Sequence, residues 1–211
     1  MKLYGYFRSS AAWRLRIALA LKGLAHDDVF VHLRKGEQRE AAHLARNPQG
    51  LVPVLELDDG TMLTQSLAIL EWLEETRPTP PLLPTDPLER AKARAVALAI
   101  ACEIHPVQNL GVLNRLRRDA GFDDARVTAW AAAVNAEGLE ACEAMVADRP
   151  GGFLFGDRPT VAEICVVPQL GNARRFGVDV SRFPRLLAAE AAAMEMAAFA
   201  DAVPGRQADA E

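Results

Sequence analysis

Cysteine is scarce in this chain, and the three that occur lie far apart, at positions 102, 142 and 165. The sequence contains no Cys-x-x-Cys pair, which excludes a dithiol redox motif and a zinc site built on cysteine pairs. The four histidines form neither a His-Glu-x-x-His pattern nor a cluster with cysteine, so we predict no metal site. An odd number of distant cysteines is typical of small buried side chains in a reducing compartment.

Long apolar runs and an excess of one charge are also missing. No stretch approaches the roughly 20 consecutive apolar residues that a membrane-spanning helix needs. The apolar start of the chain meets Arg8 before it could form a signal-peptide core. The formal net charge is −4 over 211 residues, which gives no general attraction to nucleic acid or anionic lipid. We therefore expect a cytoplasmic protein without nucleic-acid or membrane partners, in which any anion site is local.

The first 77 residues alternate between strand-like and helix-like patterns. Strands are predicted at Lys2–Phe7, Asp27–Leu33, Val52–Leu57 and Thr61–Leu63, the last two joined by the hairpin signal Asp58-Asp59-Gly60. Helices are predicted from Ser9 or Ser10 to Lys22, over Glu37–Arg46 and over Leu67–Thr76. The resulting order, β-α-β-α-β-β-α, is that of a thioredoxin-like domain, to which we assign residues 1–80.

A proline-rich segment precedes a second part of different composition. Residues 77–87 contain five prolines, which cannot continue a helix and which stiffen a connection. Beyond them the chain is rich in alanine, and helices are predicted at Leu88–Arg118, Ala125–Asp148, Val161–Arg175 and Pro184–Phe199. Thr160 and Glu163 form a capping box that opens the third of these helices. We therefore assign residues 88–211 to an all-α domain.

The pair Ser9-Ser10 lies where the first predicted strand gives way to the first helix. A helix N-terminus carries partial positive charge and unpaired N–H groups, so it stabilises an anion, and a hydroxyl there can donate to a thiolate. Lowering the pKa of a free thiol by about two units requires roughly 2.7 kcal/mol, a magnitude that a helix end and one or two donors can supply. The other interpretation of these serines is an ordinary helix cap.

Two further motifs of the first domain each allow a ligand-binding interpretation and a purely structural one. Proline is unusual in a strand, and a cis bond at Val52-Pro53 would leave the backbone of Val52 free to pair with an extended peptide. Gln65-Ser66 begins another helix and offers a second anion site, suited to the α-carboxylate of a γ-glutamyl group. The alternatives are an edge-strand proline and an ordinary serine cap.

The helical domain has its own candidate residues. The segment His105-Pro106-Val107-Gln108-Asn109 places a proline within a long helical pattern, where a kink beside a pocket is the usual reason. Arg174-Arg175 end another helix and, with Arg8, are candidates for binding carboxylates, which arginine does with two parallel hydrogen bonds. The other interpretations are a structural histidine and a solvated helix C-terminus.

These motifs, in this order, resemble the zeta class of glutathione transferases over nearly the whole chain. That class has a signature similar to Ser-Ser-Cys-x-Trp-Arg-Val-Arg-Ile-Ala-Leu, and residues 9–19 read Ser-Ser-Ala-Ala-Trp-Arg-Leu-Arg-Ile-Ala-Leu. Further segments that are similar to the class are residues 65–69, 74–80, 106–110, 156–160 and 167–176.

The resemblance implies a glutathione transferase fold, in which an α/β thioredoxin-like N-terminal domain precedes an all-α C-terminal domain, usually as a homodimer. It implies glutathione contacts at Ser9, Ser10, Gln38, Val52, Gln65, Ser66, His105 and Asn109, and we expect Ala11, Pro53 and Gln108 beside them. It also implies substrate carboxylates at Arg8 and Arg175, with Arg174 and His105 as further candidates.

The activity that this resemblance implies is glutathione-dependent cis–trans isomerisation of maleylacetoacetate to fumarylacetoacetate in tyrosine and phenylalanine breakdown, with glutathione as an unconsumed cofactor. Alternatives are isomerisation of maleylpyruvate, conjugation of glutathione to α-haloacids, and a non-catalytic binding module that kept the fold. The class has a cysteine where this chain has Ala11. That departure argues against chemistry that needs a protein thiol, whereas isomerisation needs only the thiol of glutathione.

Overall fold

The computed structural model describes residues 1–211 and divides them into two compact units. The first unit comprises Met1–Leu82 together with Glu195–Glu211, and the second comprises Leu83–Met194. The sequence had placed residues 195–211 in the helical domain, so the structure corrects that boundary. The segment belongs with the first unit because of tertiary hydrogen bonds that its local pattern does not reveal.

The first unit begins with the predicted order of strands and helices. Its elements up to Leu82 are β1 (Lys2–Gly5), α1 (Ser10–Leu21), β2 (Asp27–Phe30), α2 (Ala41–Leu44), β3 (Val54–Glu56), β4 (Met62–Thr64) and α3 (Ser66–Thr76). The predicted helix over 37–46 is instead a 3₁₀ turn at Glu37–Arg39 followed by the single turn α2.

The four strands form one mixed sheet in the order β2-β1-β3-β4. Strand β1 is parallel to β2 and antiparallel to β3, and β3 is antiparallel to β4. Because side chains alternate along a strand, Tyr4 and Val54 pack in a cluster with Val31 on one face, while Leu3 and Leu55 are fully buried on the other. The order of elements matches the thioredoxin-like arrangement that the sequence predicted.

Helix α1 is buried along almost its whole length, from Ala12 to Leu19. A helix that is buried on every face is normally apolar throughout. This one nevertheless carries two buried guanidinium groups, Arg14 and Arg16, and each makes hydrogen bonds within the first unit. Those bonds connect α1 to the segments that surround its N-terminus.

The second unit is entirely helical. Its helices are α4 (Pro87–Leu98), α5 (Leu110–Ala120), α6 (Asp124–Met145), α7 (Val161–Arg175) and α8 (Pro184–Met194). The predicted capping box is confirmed at the start of α7, where the fully buried carboxylate of Glu163 accepts hydrogen bonds from the N–H groups of Leu154 and Thr160. Burial raises the pKa of Glu163 above its usual value.

The long helix predicted over 88–118 is interrupted in the structure. After α4 the helix widens to a π-helical segment at Ala99–Ile104, in which the N–H of His105 donates to the carbonyl of Ile100 at 2.8 Å. A 3₁₀ turn, Pro106–Gln108, then leads into α5. Proline has no N–H and clashes with the carbonyl four residues earlier, which explains the break at Pro106.

The helical run Pro87–Ala120, counted as one segment of 34 residues, is long and apolar enough to pass a length-and-composition test for a membrane span. From the sequence we expect no such stretch. A single candidate is a weak indication, because core helices of proteins in water pass the same test, and this run is broken at Pro106.

The segment 195–211 holds the short helix α9 (Ala197–Ala200), a 3₁₀ turn at Pro204–Arg206 and a terminal stretch. The helix predicted to reach Phe199 therefore ends at Met194. Arg16 donates from Nε to the carbonyl of Ala202 at 3.1 Å, and Asp209 accepts from the N–H of Phe7 at 2.9 Å. These bonds fasten the segment to α1 and to the loop between β1 and α1.

Candidate functional site

The N-terminus of α1 is capped by the first serine of the predicted pair. Ser9 occupies the N-cap position, and its Oγ accepts a hydrogen bond from the N–H of Ala12 at 3.2 Å. Ser10 is the first helical residue and is buried. The first turn contains no acidic side chain, so the partial positive charge of the helix end is not neutralised locally. The arrangement suits an anion placed beside Ser9.

The loop that carries Arg8 and Ser9 is held from two directions. Arg16 donates from Nη2 to the carbonyl of Phe7 at 3.1 Å, while the N–H of Phe7 donates to Asp209. Burial lowers the pKa of Arg16 to about 10, which still leaves the guanidinium charged at neutral pH. The guanidinium of Arg8 lies 4.9 Å from the centre of the Phe7 ring and is partly exposed.

The N-terminus of α3 is built differently. Gln65 precedes the helix with φ 67° and ψ 111°, and it is the one non-glycine residue of the chain with positive φ. Its side chain does not cap the helix but donates from Nε2 to Oε1 of Gln49 at 2.8 Å. Ser66 follows as the first helical residue and is buried. The first-turn N–H groups of α3 and the Ser66 hydroxyl thus lie together at this helix end.

Arg14 connects α1 to the start of α3. Its Nη1 donates to Oγ of Ser66 at 3.2 Å, and its side chain is 2% exposed. Arg14 is not among the candidate residues predicted from the sequence. The available signal was a charged side chain between Trp13 and Leu15, inside a helix whose one other charged residue is Arg16.

The segment before β3 contains the predicted proline motif. The Val52-Pro53 peptide bond is cis, and the strand begins at Val54, two residues later than predicted. The backbone N–H and C=O of Val52 form no hydrogen bond within the first unit. The side chains of His43 and Asn47 both bond to the carbonyl of Leu51 at 2.9 Å and hold the segment in place. His43 and Asn47 were not predicted to have this role.

Gln38 lies in the 3₁₀ turn Glu37–Arg39, and its Oε1 atom is buried without a hydrogen-bond partner. A buried amide oxygen without a donor costs roughly 1–3 kcal/mol. A ligand that carries N–H or O–H groups would remove that cost. The position is therefore consistent with the predicted cofactor contact.

The predicted residues of the second unit surround the break between α4 and α5. Asn109 is the N-cap of α5, and its Oδ1 accepts from the N–H of Val112 at 3.1 Å. Gln108 is buried, and its Oε1 has no hydrogen-bond partner. His105 lies immediately before the 3₁₀ turn and is partly exposed. Of these three polar residues, His105 and Asn109 are thus partly exposed at the break, whereas Gln108 is buried.

The two arginines at the end of α7 have different surroundings. Arg174 forms a pair of hydrogen bonds with Glu190, of which Nη1 to Oε1 measures 2.6 Å, and this carboxylate raises the pKa of Arg174. The guanidinium of Arg175 lies 5.0 Å from the centre of the Phe176 ring, and Arg175 is exposed. Arg174 is thus committed to a carboxylate of the chain itself.

The cysteines lie away from the helix N-termini just described. Cys142 and Cys165 are buried, and burial raises the pKa of Cys142 to about 12. Cys102 is exposed, in the π-helical segment. No group of three or more His, Cys, Asp or Glu side chains that could hold a metal ion occurs in residues 1–211.

Comparison with known families decides the relationship. The model of the glutathione S-transferase N-terminal domain matches residues 8–76, and the model of the C-terminal domain matches residues 124–191. The chain belongs to the glutathione S-transferase family. The predicted glutathione transferase fold is therefore confirmed, and the matched N-terminal region contains both helix N-termini described above.

Within this family, curated relatives match the chain from end to end. The maleylacetoacetate isomerase of Pseudomonas aeruginosa is 47% identical, over 99% of this chain and 98% of that protein. The maleylpyruvate isomerase of a Ralstonia species is 46% identical, over 99% of both chains.

Solved glutathione transferase structures agree closely with this one. A maleylpyruvate isomerase described as a bacterial zeta-class glutathione S-transferase superposes with a TM-score of 0.96 at 45% identity, covering 100% of both chains. A maleylacetoacetate isomerase from Methylobacterium extorquens, solved with malonate and glutathione, gives 0.96 at 39% identity with the same coverage. One from Anaeromyxobacter dehalogenans, with dicarboxyethyl glutathione and citrate in its active site, gives 0.89 at 46% identity, covering 100% of this chain and 93% of that one. The predicted resemblance to the zeta class is thus confirmed.

Proposed function

We propose that this chain is a glutathione-dependent cis–trans isomerase that converts maleylacetoacetate to fumarylacetoacetate. The observation that carries the proposal is that one compact unit contains two serine-bearing helix N-termini, at α1 and α3, with no acidic residue in either first turn. Glutathione has a thiol that works as a thiolate and a γ-glutamyl carboxylate, so it needs two anion sites. The full-length similarity to maleylacetoacetate isomerases selects the reaction.

The residues of the first unit fit glutathione at several points. The backbone of Val52 has an N–H and a C=O that are available to pair with the cysteinyl residue of an extended peptide. The unpartnered Oε1 of Gln38 accepts a hydrogen bond from a ligand donor. Ser66 and the α3 N-terminus suit the γ-glutamyl carboxylate, and Gln65 lies beside them.

When bound, glutathione supplies the thiolate, whose reversible addition to the conjugated double bond of the substrate makes that bond single and free to rotate. Ser9 has the role of stabilising this charge. Its Oγ already accepts from the N–H of Ala12, so its own O–H remains available to donate. The proton is thereby directed at the anion, and the α1 N-terminus adds its partial positive charge.

We assign the thiolate to Ser9 rather than to Ser10. Ser10 is the first helical residue and is only 5% exposed. Ser9 is the N-cap residue and is partly exposed. Ser10 then contributes its backbone N–H to the helix end and supports Ser9. Ala11 follows in the same turn and presents no nucleophile of its own.

The carboxylates of the substrate require cations. In the first unit we assign this role to Arg8, which lies one residue before Ser9 and is partly exposed. In the second unit we assign it to Arg175, which is exposed and lies where the resemblance to the zeta class implies a substrate carboxylate. A guanidinium there binds a carboxylate with two hydrogen bonds and stabilises negative charge that develops on a conjugated carbonyl. His105, Gln108 and Asn109 remain candidate cofactor contacts of the second unit.

A second candidate function is isomerisation of maleylpyruvate. It is favoured by the 46% identical Ralstonia enzyme and by the zeta-class maleylpyruvate isomerase with a TM-score of 0.96. Every residue assigned above serves both reactions, because both substrates have a cis double bond conjugated to a carbonyl and carry carboxylates. We further propose that the protein works in the cytoplasm as a homodimer, which size-exclusion chromatography with light scattering would test.

The proposal is tested by mixing the purified protein with maleylacetoacetate or with maleylpyruvate and following ultraviolet absorbance, with and without glutathione. We expect glutathione-dependent turnover, with a larger kcat/KM for maleylacetoacetate. Ser9→Ala serves as the matched control of strongly reduced activity, with circular dichroism to show that it is folded. If folded protein shows no glutathione-dependent change with either substrate, the proposed function is wrong.

A further inference from the structure

Arg14 is a buried charge that the proposed reaction does not yet explain. It is 2% exposed and lies between the buried side chains of Trp13 and Leu15. Burying a guanidinium costs free energy unless hydrogen bonds compensate, and an apolar side chain of similar size would avoid this cost. The presence of arginine at this position therefore calls for a specific contact.

One such contact is the hydrogen bond from Arg14 Nη1 to Ser66 Oγ, which measures 3.2 Å. A guanidinium carries only donors, so the serine oxygen must be the acceptor. A serine hydroxyl has one proton, and this bond leaves that proton to be donated to another group. The contact thus fixes Ser66 as a donor toward whatever lies at the α3 N-terminus.

The neighbouring residue Gln65 does not perform this task. Gln65, at the N-cap, makes no side-chain hydrogen bond to the helix, and its amide bonds to Gln49 instead. The first turn of α3 has no acidic residue. An anion at this end would therefore meet the hydroxyl of Ser66 and the free N–H groups of the helix, with a guanidinium directly behind the hydroxyl.

We propose that Arg14 is a positioning residue for the cofactor: by donating to Ser66 it orients the Ser66 hydroxyl toward the γ-glutamyl α-carboxylate of glutathione. The inference rests on the proposed function, because it assumes that glutathione occupies the α3 N-terminus. It adds that the affinity for one carboxylate is set by a residue of a different helix, whose side chain acts through Ser66.

The test compares two ligands by isothermal titration calorimetry. One is glutathione, and the other is an analogue in which hydrogen replaces the α-carboxylate of the γ-glutamyl residue. We expect Arg14→Met to weaken glutathione binding by about tenfold, the usual scale for a hydrogen bond to a charged group, and to change binding of the analogue less than about twofold. In Arg14→Met/Ser66→Ala, the loss should be no larger than in Ser66→Ala alone.

Two further variants keep the test decisive. Arg14→Gln is too short to keep the contact, and it should reproduce the selective loss if Arg14→Met does not fold. Arg16→Met removes a neighbouring buried guanidinium that does not contact Ser66, so any effect it has should be equal for both ligands. Steady-state kinetics should show a raised KM for glutathione and an unchanged kcat in the Arg14 variants.

Equal weakening of both ligands in the Arg14 variants, or losses that add in the double variant, would overturn the inference. Either result would mean that Arg14 serves only the fold. A wild-type protein that binds neither ligand would instead contradict the proposed function. The two failures are therefore distinguishable.

Discussion

The N-termini of α1 and α3 look alike in sequence but are built in different ways. At α1 the serine is the N-cap, and its hydroxyl bonds to Ala12, three residues later in its own helix. At α3 the N-cap is Gln65 with positive φ, and the serine is the first helical residue, bonded to Arg14, 52 residues away. The first helix end is therefore specified locally, whereas the second depends on tertiary structure.

This difference has a chemical consequence for the two ends of glutathione. The thiolate reacts and is regenerated at each turnover, so its site has to stabilise a negative charge that changes during the reaction. The γ-glutamyl carboxylate does not react, so its site needs only to hold it. We therefore expect substitutions at α1 to affect kcat and substitutions at α3 to affect KM.

The largest expected effect is at Ser9. Ser9→Ala should lower kcat/KM by about 100-fold, the usual scale for removing one donor to a reacting anion. The hydroxyl favours the anionic form of glutathione and so lowers the pKa of its thiol. Its loss should raise the pKa of the thiol. The rate, which increases with pH as the thiol ionises, should then begin to increase only at a higher pH, and a pH–rate profile would detect this shift.

Ser9→Thr is the control for this prediction, since threonine keeps both the cap and the hydroxyl. It should retain most of the activity. If the alanine variant were as active as the threonine variant, the Ser9 hydroxyl would not stabilise the thiolate, and the expected difference between the α1 and α3 sites would be wrong.

A smaller effect is expected at Ser66. Ser66→Ala should raise the KM for glutathione about tenfold and leave kcat within about twofold, because a hydrogen bond to a non-reacting carboxylate contributes to binding alone. Initial rates over a range of glutathione concentrations would measure both constants. If kcat fell as much as it does in Ser9→Ala, Ser66 would affect the reaction step as well as binding, and the assigned difference between the two sites would be wrong.

The α1 N-terminus can be probed without glutathione through Ala11→Cys. A thiol in the first turn of a helix should have a pKa about one to two units below the usual 8.5, because the helix end stabilises the thiolate. The rate of alkylation by iodoacetamide as a function of pH reports this pKa. Glutathione should protect the new thiol, and an unshifted pKa would contradict the anion site.

The smallest effect concerns the backbone at Gln65. Both Gln65→Gly and Gln65→Ala lose the bond to Gln49, but only glycine adopts φ 67° without strain. The glycine variant should be more stable than the alanine variant by about 1 kcal/mol, or roughly 2–4 °C in Tm. Thermal denaturation followed by circular dichroism would measure this, and equal stabilities would mean that Gln65 is unstrained.

Local features were the ones that the sequence could predict. The capping box of Thr160 and Glu163 and the cap at Ser9 involve neighbours within one helical turn, and both follow from residue type and spacing. The break at Pro106 was expected as a kink, because proline acts on its own helix. The widened turn before it has no comparable residue signature.

Features that depend on distant partners were missed. Arg14 looked like one more residue of a helix signature, because its partner Ser66 lies in a different helix. The assignment of residues 195–211 to the helical domain was wrong because the bond between Phe7 and Asp209 joins residues 202 positions apart. Periodicity reports which face of an element is buried and does not report what buries it.

The bond between Phe7 and Asp209 also has a consequence for the order of synthesis. The loop before Ser9 is made well before the carboxylate that holds it, which follows 202 residues later. Residues 83–194 lie between them and form a unit of their own. Since domains fold as units while the chain is made, the second unit can fold first, and the first unit stays incomplete until Asp209 has been made.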